Sequence, residues 1–364
     1  MSNNFFSLPV KKIQRETADA VSITFDVPDS LKEKYTFTQG QYLTLKTMLS
    51  GKEQRRAYSI CSSPLDGDLT IAVKKVAKGV VSTFLCERLQ EGHSLQVATP
   101  EGRFHTPLSM EQRKDYFLFG AGSGITPLMS ILKTIIETEP TSKVNLLYGN
   151  RNEDNIIFQK QLAELSQKYA GQLTVEHILS QPKREKGGFF SKGKITWTGK
   201  VGRIDKSVVE KFLQDNPMTS KDGVYFICGP NAMMTAVESV LKGKGVDKKQ
   251  IHAEHFNNDG GAVDPSVAGA SVDGAKVTVT FMKKTNTVVV PKGERILDVL
   301  LKNKIEAPYS CTSGACSTCM AKVSVGTTKM DACFALDEDE VAAGYVLTCQ
   351  AHPTSAEVVL TFDH

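Results

Sequence analysis

The sequence predicts a multidomain protein with a small β-barrel domain, a doubly wound α/β domain on a parallel sheet, and an α+β domain of β-grasp type. Three observations carry this. Residues 5–100 show short alternating apolar runs broken by turn residues. Residues 113–256 alternate strand-like runs with amphipathic helical stretches, the rhythm of a parallel sheet. Residues 257–275 are poor in large apolar side chains and precede a segment with its own strand, strand, helix pattern. The expected boundaries are 1–110, 111–256, a linker at 257–275, and 276–364; a chain of 364 residues is too long for one ordinary domain.

In the first region the runs Val21–Val27, Tyr42–Leu45, Leu69–Val73 and Ser94–Val97 predict barrel strands, with Gly51 and Asp66-Gly67 at turns. A helix is expected over 82–90, with Ser82 as its N-cap, Phe84, Leu85 and Leu89 facing inward, and Gly92 just past its end. In the second region strands are expected at 116–119, 143–147, 173–179 and 224–228, and helices near 126–137, 156–169, 205–214 and 231–243. Residues 183–194 read as an exposed loop. The third region predicts strands at 277–281 and 287–290 and a helix at 296–302.

Composition narrows the functional classes. Hydrophobic content is 40% and charged content 23%, in the range of globular domains with real cores. No apolar run is long enough to span a membrane. The first residues lack a basic stretch followed by an apolar one, and eight scattered cysteines in so long a chain are not a disulfide scaffold. Both point to a cytoplasmic protein. From residue 257 onward there are 9 basic against 13 acidic residues, and before it 35 against 27, so the two parts carry opposite net charge. Basic residues are not interleaved with stacking aromatics, which argues against nucleic acid.

The most specific chemical signal is Cys311-x4-Cys316-x2-Cys319, followed downstream by Cys349. This is the plant-type ligand spacing of a [2Fe–2S] cluster. Four thiolates must converge on one compact object, and small residues around Gly314 let a loop close on it. A zinc site is the competing reading, although structural zinc usually shows two similar cysteine pairs. Cys333 also lies downstream, and Cys349 is preferred as the fourth ligand.

Four weaker motifs precede it. Arg56-Ala57-Tyr58-Ser59 combines a cationic fork, a stacking ring and a hydroxyl. Lys78, Gly79, Val80, Val81 and Ser82 lead into a helix, whose start offers free N–H groups to phosphate. Gly120-x-Gly122-x-Gly124, with Thr126 and Pro127, lies between a strand and a helix, the setting of a diphosphate loop, though not with the usual G-x-G-x-x-G spacing. Cys228-Gly229-Pro230 follows a strand, where Cys228 reads either as a buried small residue or as a group beside a reacting nucleotide ring.

Taken in order, these motifs resemble the ferredoxin–NADP reductase superfamily. Tyr148-Gly149-Asn150-Arg151, Gly202-Arg203-Ile204-Asp205, and Ile251-His252-x-Glu254-x-Phe256 extend the likeness. With the ferredoxin-like C-terminus, the chain resembles the reductase components of bacterial oxygenases, including those of phenylacetyl-CoA epoxidases. The resemblance covers nearly all of residues 5–364. It implies that Arg56 and residues 78–82 hold an FAD diphosphate, that Tyr58 stacks on the flavin, and that Ser59 lies near its N5. It further implies that Gly120 to Pro127, with Gly229 and Pro230, hold NAD(P)H, and that Cys228 lies near the nicotinamide. Glu254 and Phe256 approach the flavin from its other side, and Asn150, Arg151 and Ser180 meet the adenosine end. The same family places its fourth cluster ligand at Cys349.

No acidic residue precedes Glu185 after the third strand of the α/β region, and Lys183, Arg184 or Arg151 could meet a 2′-phosphate. NADPH is therefore favoured, with NADH the alternative. His252 and His255, three apart in an expected strand, face different ways and read as packing residues. The implied activity passes electrons from NAD(P)H through FAD and the cluster to a partner oxygenase, a di-iron enzyme acting on an acyl-CoA being the leading case. A stand-alone ferredoxin or flavodoxin reductase and a non-enzymatic redox sensor are the alternatives.

Overall fold

The computed structural model describes residues 5–185, 193–256 and 265–363. Most of the expected loop at 183–194 therefore lies outside the described residues. These form two compact units, one of Phe6–Gln54 and Tyr58–Glu254, the other beginning at His255 and including Arg55–Ala57.

The larger unit opens with six strands, β1 (Phe5–Thr17), β2 (Ala20–Phe25), β3 (Tyr42–Leu49), β4 (Lys52–Ser59), β5 (Leu69–Lys74) and β6 (Ser94–Ala98). Their order is β4-β3-β6-β1-β2-β5, and a bridge from Ile60, just past β4, to Ile71 in β5 brings the sheet's edges together. Leu8, Ile23, Leu43, Leu45, Ile60 and Ile71 fill the interior. The long β1 and the polar β4 (KEQRRAYS) were not expected; β4 lacks an apolar alternation that would reveal it. Helix α1 (Val80–Glu87) starts two residues before the expected helix. Gly79, not Ser82, occupies its N-cap, because the Ser82 hydroxyl accepts the Val76 N–H (3.1 Å) and so ties the preceding turn to the helix.

The α/β part follows: β7 (Asp115–Ala121), α2 (Ile125–Thr138), β8 (Lys143–Asn150), α3 (Gln159–Lys168), β9 (Leu173–Leu179), β10 (Lys200–Val201), α4 (Lys206–Asp215), β11 (Gly223–Gly229), α5 (Asn231–Gly243) and β12 (Ile251–His255). The strand order is β10-β9-β8-β7-β11-β12, with β7 parallel to both β8 and β11. The chain order thus reverses between β7 and β11, which places a topological switch point at their C-terminal ends. Helix α2 is buried from Ile125 through Ile136 because it is covered from both sides. Toward the barrel, Ser130 donates to the Ser62 carbonyl (2.7 Å), Thr134 to the Ser63 hydroxyl (3.0 Å), and Lys133 pairs with Asp66.

In the smaller unit, a short helix α6 (Pro265–Gly269) lies within the expected linker, and residues 257–264 of that linker are outside the described residues. Next come β13 (Ala275–Phe281), β14 (Lys284–Val290), α7 (Ile296–Lys302), β15 (Met320–Val325), β16 (Thr328–Met330), α8 (Glu338–Ala342), β17 (Tyr345–Leu347), β18 (Ala351–Pro353) and β19 (Glu357–Thr361). The sheet order β14-β13-β19-β15-β17, with parallel β13 and β19 at its centre, is a β-grasp arrangement. Ile296, Leu297, Val299 and Leu300 of α7 complete its core. No helix among the described residues is long and apolar enough to cross a membrane.

Candidate functional site

The switch point gathers two of the sequence motifs. Cys228 of β11 is in register with Gly120 of β7. Beyond β7 the chain makes one tight turn, Gly122–Gly124, and enters α2. A Cβ on Gly124 would lie 2.0 Å from the Cys228 carbonyl oxygen, so this residue must be glycine for the two loops to pack. The result is a backbone cradle at the N-terminus of α2, where aligned N–H groups favour an anion. The Thr126 hydroxyl is used inside this turn, donating to the Ser123 carbonyl (3.0 Å).

Cys228 is fully buried, and its thiol is pushed well up by burial and then by Glu254. Glu254, on β12, accepts a hydrogen bond from the Ser59 hydroxyl at 3.3 Å. Its carboxyl is pushed up to about 8 by burial, opposed only by that hydrogen bond. Ser59 and Glu254, far apart in sequence, thus meet through a hydrogen bond, and the Glu254 carboxyl lies near enough to Cys228 to raise its thiol pKa. Tyr58 is half-buried against the barrel core, and Arg56 is exposed, two residues before it on β4. Lys78 takes a positive φ of 60° before Gly79, which turns the chain into α1. Val81 and Ser82 are buried in that first turn, and Val80 is exposed.

At the other end of the switch point, Asn150 is buried at the end of β8, and its side-chain amide completes no hydrogen bond among the described residues. Ser180 is tied to Asn150 through its backbone N–H (3.0 Å). An orphaned buried amide is costly in an isolated protein and fits a ligand-contacting role. Arg151 is exposed beside it. Of the other cations considered for a 2′-phosphate, Lys183 is already committed, its ammonium to Asp154 (2.7 Å) and its N–H to Glu153 (3.0 Å). Arg184 donates to the Gly193 carbonyl. Phe256, just past β12, is half-buried, and His252 stacks on Phe226 (centroids 4.8 Å apart), a packing role as expected.

One residue escaped the sequence reading. Lys74 ends β5, and its ammonium stands 3.6 Å from where a Cβ on Gly122 would lie. Burial, and then Arg151, hold it below its ordinary pKa. In sequence it is one of two adjacent lysines closing a strand, which reads as solvated charge; only the fold brings it to the glycine turn.

The cysteine loop has the chemistry a cluster needs. Cys316, Cys319 and Cys349 are buried, and Cys311 is partly so. The four thiols are mutually coupled, most strongly Cys311 with Cys316 and Cys319 with Cys349. Among the described residues no three His, Cys, Asp or Glu side chains gather closely enough to hold one metal ion. A two-iron cluster divides its four thiolates in the same two-and-two manner. The N–H groups of Ser313 (3.4 Å) and Cys316 (3.3 Å) already point at the Cys311 sulfur. The Cys316 thiol first, and then these N–H groups, pull the Cys311 pKa down against burial, toward the thiolate that iron requires. Gly314 has φ 74°, and a Cβ there would lie 2.9 Å from the Ala332 carbonyl, so the loop's curvature depends on it. Cys333 is only half-buried and belongs to neither pair.

Comparison with known proteins agrees with this geometry. Residues 7–106 match the oxidoreductase FAD-binding domain, residues 118–239 the oxidoreductase NAD-binding domain, and residues 279–354 the 2Fe-2S iron-sulfur cluster binding domain. The last match replaces the zinc alternative. The chain is 41% identical over 360 residues to a subunit of the 1,2-phenylacetyl-CoA epoxidase of Escherichia coli K12, covering 99% of this chain and 98% of that protein. It is 35% identical over 365 residues to the ferredoxin reductase component of Rhodococcus rhodochrous 3-ketosteroid-9-alpha-monooxygenase, covering 98% of this chain and 96% of that one. Among solved structures, phthalate dioxygenase reductase shares the fold with a TM-score of 0.59 at 22% identity, over 99% of this chain and 98% of that chain. With all three domains matched in order along a full-length alignment, the chain belongs to the family of oxidoreductases that carry FAD-binding, NAD-binding and 2Fe–2S domains in one polypeptide, the family of the oxygenase reductase components.

Proposed function

We propose that this chain takes electron pairs from NADPH and delivers single electrons to a di-iron oxygenase acting on an acyl-CoA. The observation that carries this is the presence, in one polypeptide, of a Ser59–Glu254 pair beside the nucleotide cradle and of four thiols brought together from the Cys311–Cys319 loop and Cys349. When bound, FAD accepts a hydride and releases electrons singly, and the [2Fe–2S] cluster carries them one at a time. Arg56 and the N–H groups of Lys78, Gly79, Val80, Val81 and Ser82 hold the FAD diphosphate. Tyr58 would stack on the flavin ring, and Phe256 is a second aromatic assigned to the flavin.

Gly120, Gly122, Gly124, Thr126 and Pro127, with Gly229 and Pro230, shape the cradle for the NADPH diphosphate. Lys74 adds a positive charge to that cradle. Asn150, Arg151 and Ser180 bind the adenosine end, with Arg151 the cation left for a 2′-phosphate. Cys228 gives the nicotinamide a small, uncharged wall that excludes water. Glu254, protonated up to about pH 8, accepts from the Ser59 hydroxyl and keeps a proton available beside the reacting ring. Cys311, Cys316, Cys319 and Cys349 ligate the cluster.

The likeness to the phenylacetyl-CoA epoxidase component supports an acyl-CoA oxygenase as partner. All eight cysteines are free thiols, which supports a reducing, cytoplasmic setting. The test is direct. The purified protein should be yellow-brown, contain FAD with iron and labile sulfide in equal amounts, and bleach on addition of NADPH. It should then support NADPH-dependent turnover by a purified acyl-CoA epoxidase oxygenase. A protein that reconstitutes with neither FAD nor iron would end this reading.

A further inference from the structure

The residue after the fourth cysteine is fully buried and polar. Gln350 is 0% exposed, in the core of a domain of this size an unusual place for an amide. Its two Nε2 hydrogens serve three acceptors: one goes to the Thr312 carbonyl (3.1 Å), and the other is shared between the Cys349 carbonyl (2.7 Å) and the Cys349 sulfur (3.7 Å). The amide orientation follows from these partners: turned over, its oxygen would face two carbonyl oxygens and a sulfur. Its Oε1 has no hydrogen-bond partner among the described residues, a cost usually tolerated where function requires the group.

The backbone of Gln350 is equally constrained. Its N–H donates to the Leu347 carbonyl (2.8 Å), and its carbonyl accepts the Asp331 N–H (3.0 Å). Its Cγ lies 3.2 Å from where a Cβ on Gly314 would be, so it also packs under the cysteine loop. Thr312, whose carbonyl it holds, has a positive φ of 57° in that loop. One side chain therefore joins the two segments that carry the four cysteines.

We propose that Gln350 is a positioning residue for the iron–sulfur centre: it fixes the Cys311–Cys319 loop against Cys349 and holds the cluster potential up by donating to the Cys349 sulfur. This rests on the four-cysteine assignment made under Proposed function. The physical reason is that reduction adds negative charge to the cluster, and an N–H aimed at a ligand sulfur stabilises that charge.

The test uses the full-length protein with its flavin and cluster, and the variant Gln350→Met, which keeps the side chain's length and removes the donor. Iron and sulfide content should match wild type. The cluster midpoint potential, from a redox titration followed by its electron paramagnetic resonance signal, should move to a more negative value. NADPH-dependent reduction of cytochrome c should fall several-fold, while reduction of ferricyanide, which the flavin can serve directly, stays unchanged. A fully loaded variant with an unaltered potential and signal overturns the proposal. If Gln350→Met folds and binds FAD but loses its cluster, Gln350→Asn, which keeps an amide donor, decides: recovered loading supports the role, and equal loss overturns it. A wild-type protein devoid of iron and sulfide would instead count against the four-cysteine assignment itself.

Discussion

At the scale of single residues, Glu254 is the most informative group. Its carboxyl is pushed up to about 8 in the folded protein, against 4.5 as its ordinary value, because partial removal from water disfavours the charged form more than the hydrogen bond from Ser59 favours it. Between those two values the folded chain keeps a proton that the unfolded chain has lost. Stability therefore falls as pH rises through that window and levels off above about 8. Glu254→Gln should remove this slope. Melting temperatures of the flavin-free protein should diverge between wild type and variant from pH 5 to pH 9, with the variant the more stable at the alkaline end. Parallel curves would show that Glu254 does not carry the shift. Gly124 makes a second residue-scale case. Its Cβ position, 2.0 Å from the Cys228 carbonyl, means that Gly124→Ala must push apart the two loops of the nucleotide cradle. A strain of about 1–3 kcal/mol, falling on the cradle, would weaken NADPH binding by about 5- to 150-fold. A steady-state KM for NADPH, measured at unchanged FAD content, checks it.

At the scale of elements, the C-terminal domain is held by a buried charged cluster. Asp331, its side chain 1% exposed, accepts from Arg295 at the start of α7 (2.7 Å) and meets His352 of β18 (3.0 Å). These contacts tie the helix, the β16–β18 pair and the segment after Cys349 to one carboxylate. The Leu297 N–H holds the Thr348 carbonyl (3.0 Å) and the Asp331 N–H holds that of Gln350, so the residues on both sides of Cys349 are fixed from the same cluster. Removing one partner of such a buried pair leaves an uncompensated charge and costs about 3–5 kcal/mol. Asp331→Ala should accordingly lower the melting temperature of the C-terminal domain and release iron at temperatures where the FAD absorbance of the protein is unchanged. Simultaneous loss of both chromophores would contradict this.

At the scale of the whole molecule, the chain combines a two-electron site with a one-electron site, and the two can be separated experimentally. Cys316→Ser removes a buried ligand and should leave FAD reduction by NADPH within about twofold of wild type, because that step precedes the cluster on the proposed route. Electron delivery to cytochrome c or to an oxygenase should fall by at least an order of magnitude. Stopped-flow absorbance of the flavin and steady-state acceptor reduction provide the two readings. Undiminished delivery would remove the cluster from the route.

The domain order, the strand and helix rhythm of residues 113–256, and the cysteine spacing were legible in the sequence alone. Each is written in local pattern: periodicity, glycine placement and ligand intervals do not need the rest of the chain to be recognised. The helix at 231–243 and the one at 296–302 have the bounds expected of them, since both have strong apolar faces and clear ends. Other features depended on tertiary structure. β4 is charged along its length and becomes a strand only through pairing with β3. Ser82 has a capping residue's chemistry, yet its hydroxyl is drawn to Val76, and the cap passes to Gly79. Lys183 looked available for a phosphate until Asp154 stood beside it, while Lys74 carried no sequence signal and gained its place at Gly122 only through the fold. Which thiols pair, which carboxyl keeps its proton and which amide supports the cluster loop are properties of neighbours distant in sequence. Burial and charge act through space, so only the folded chain could decide them.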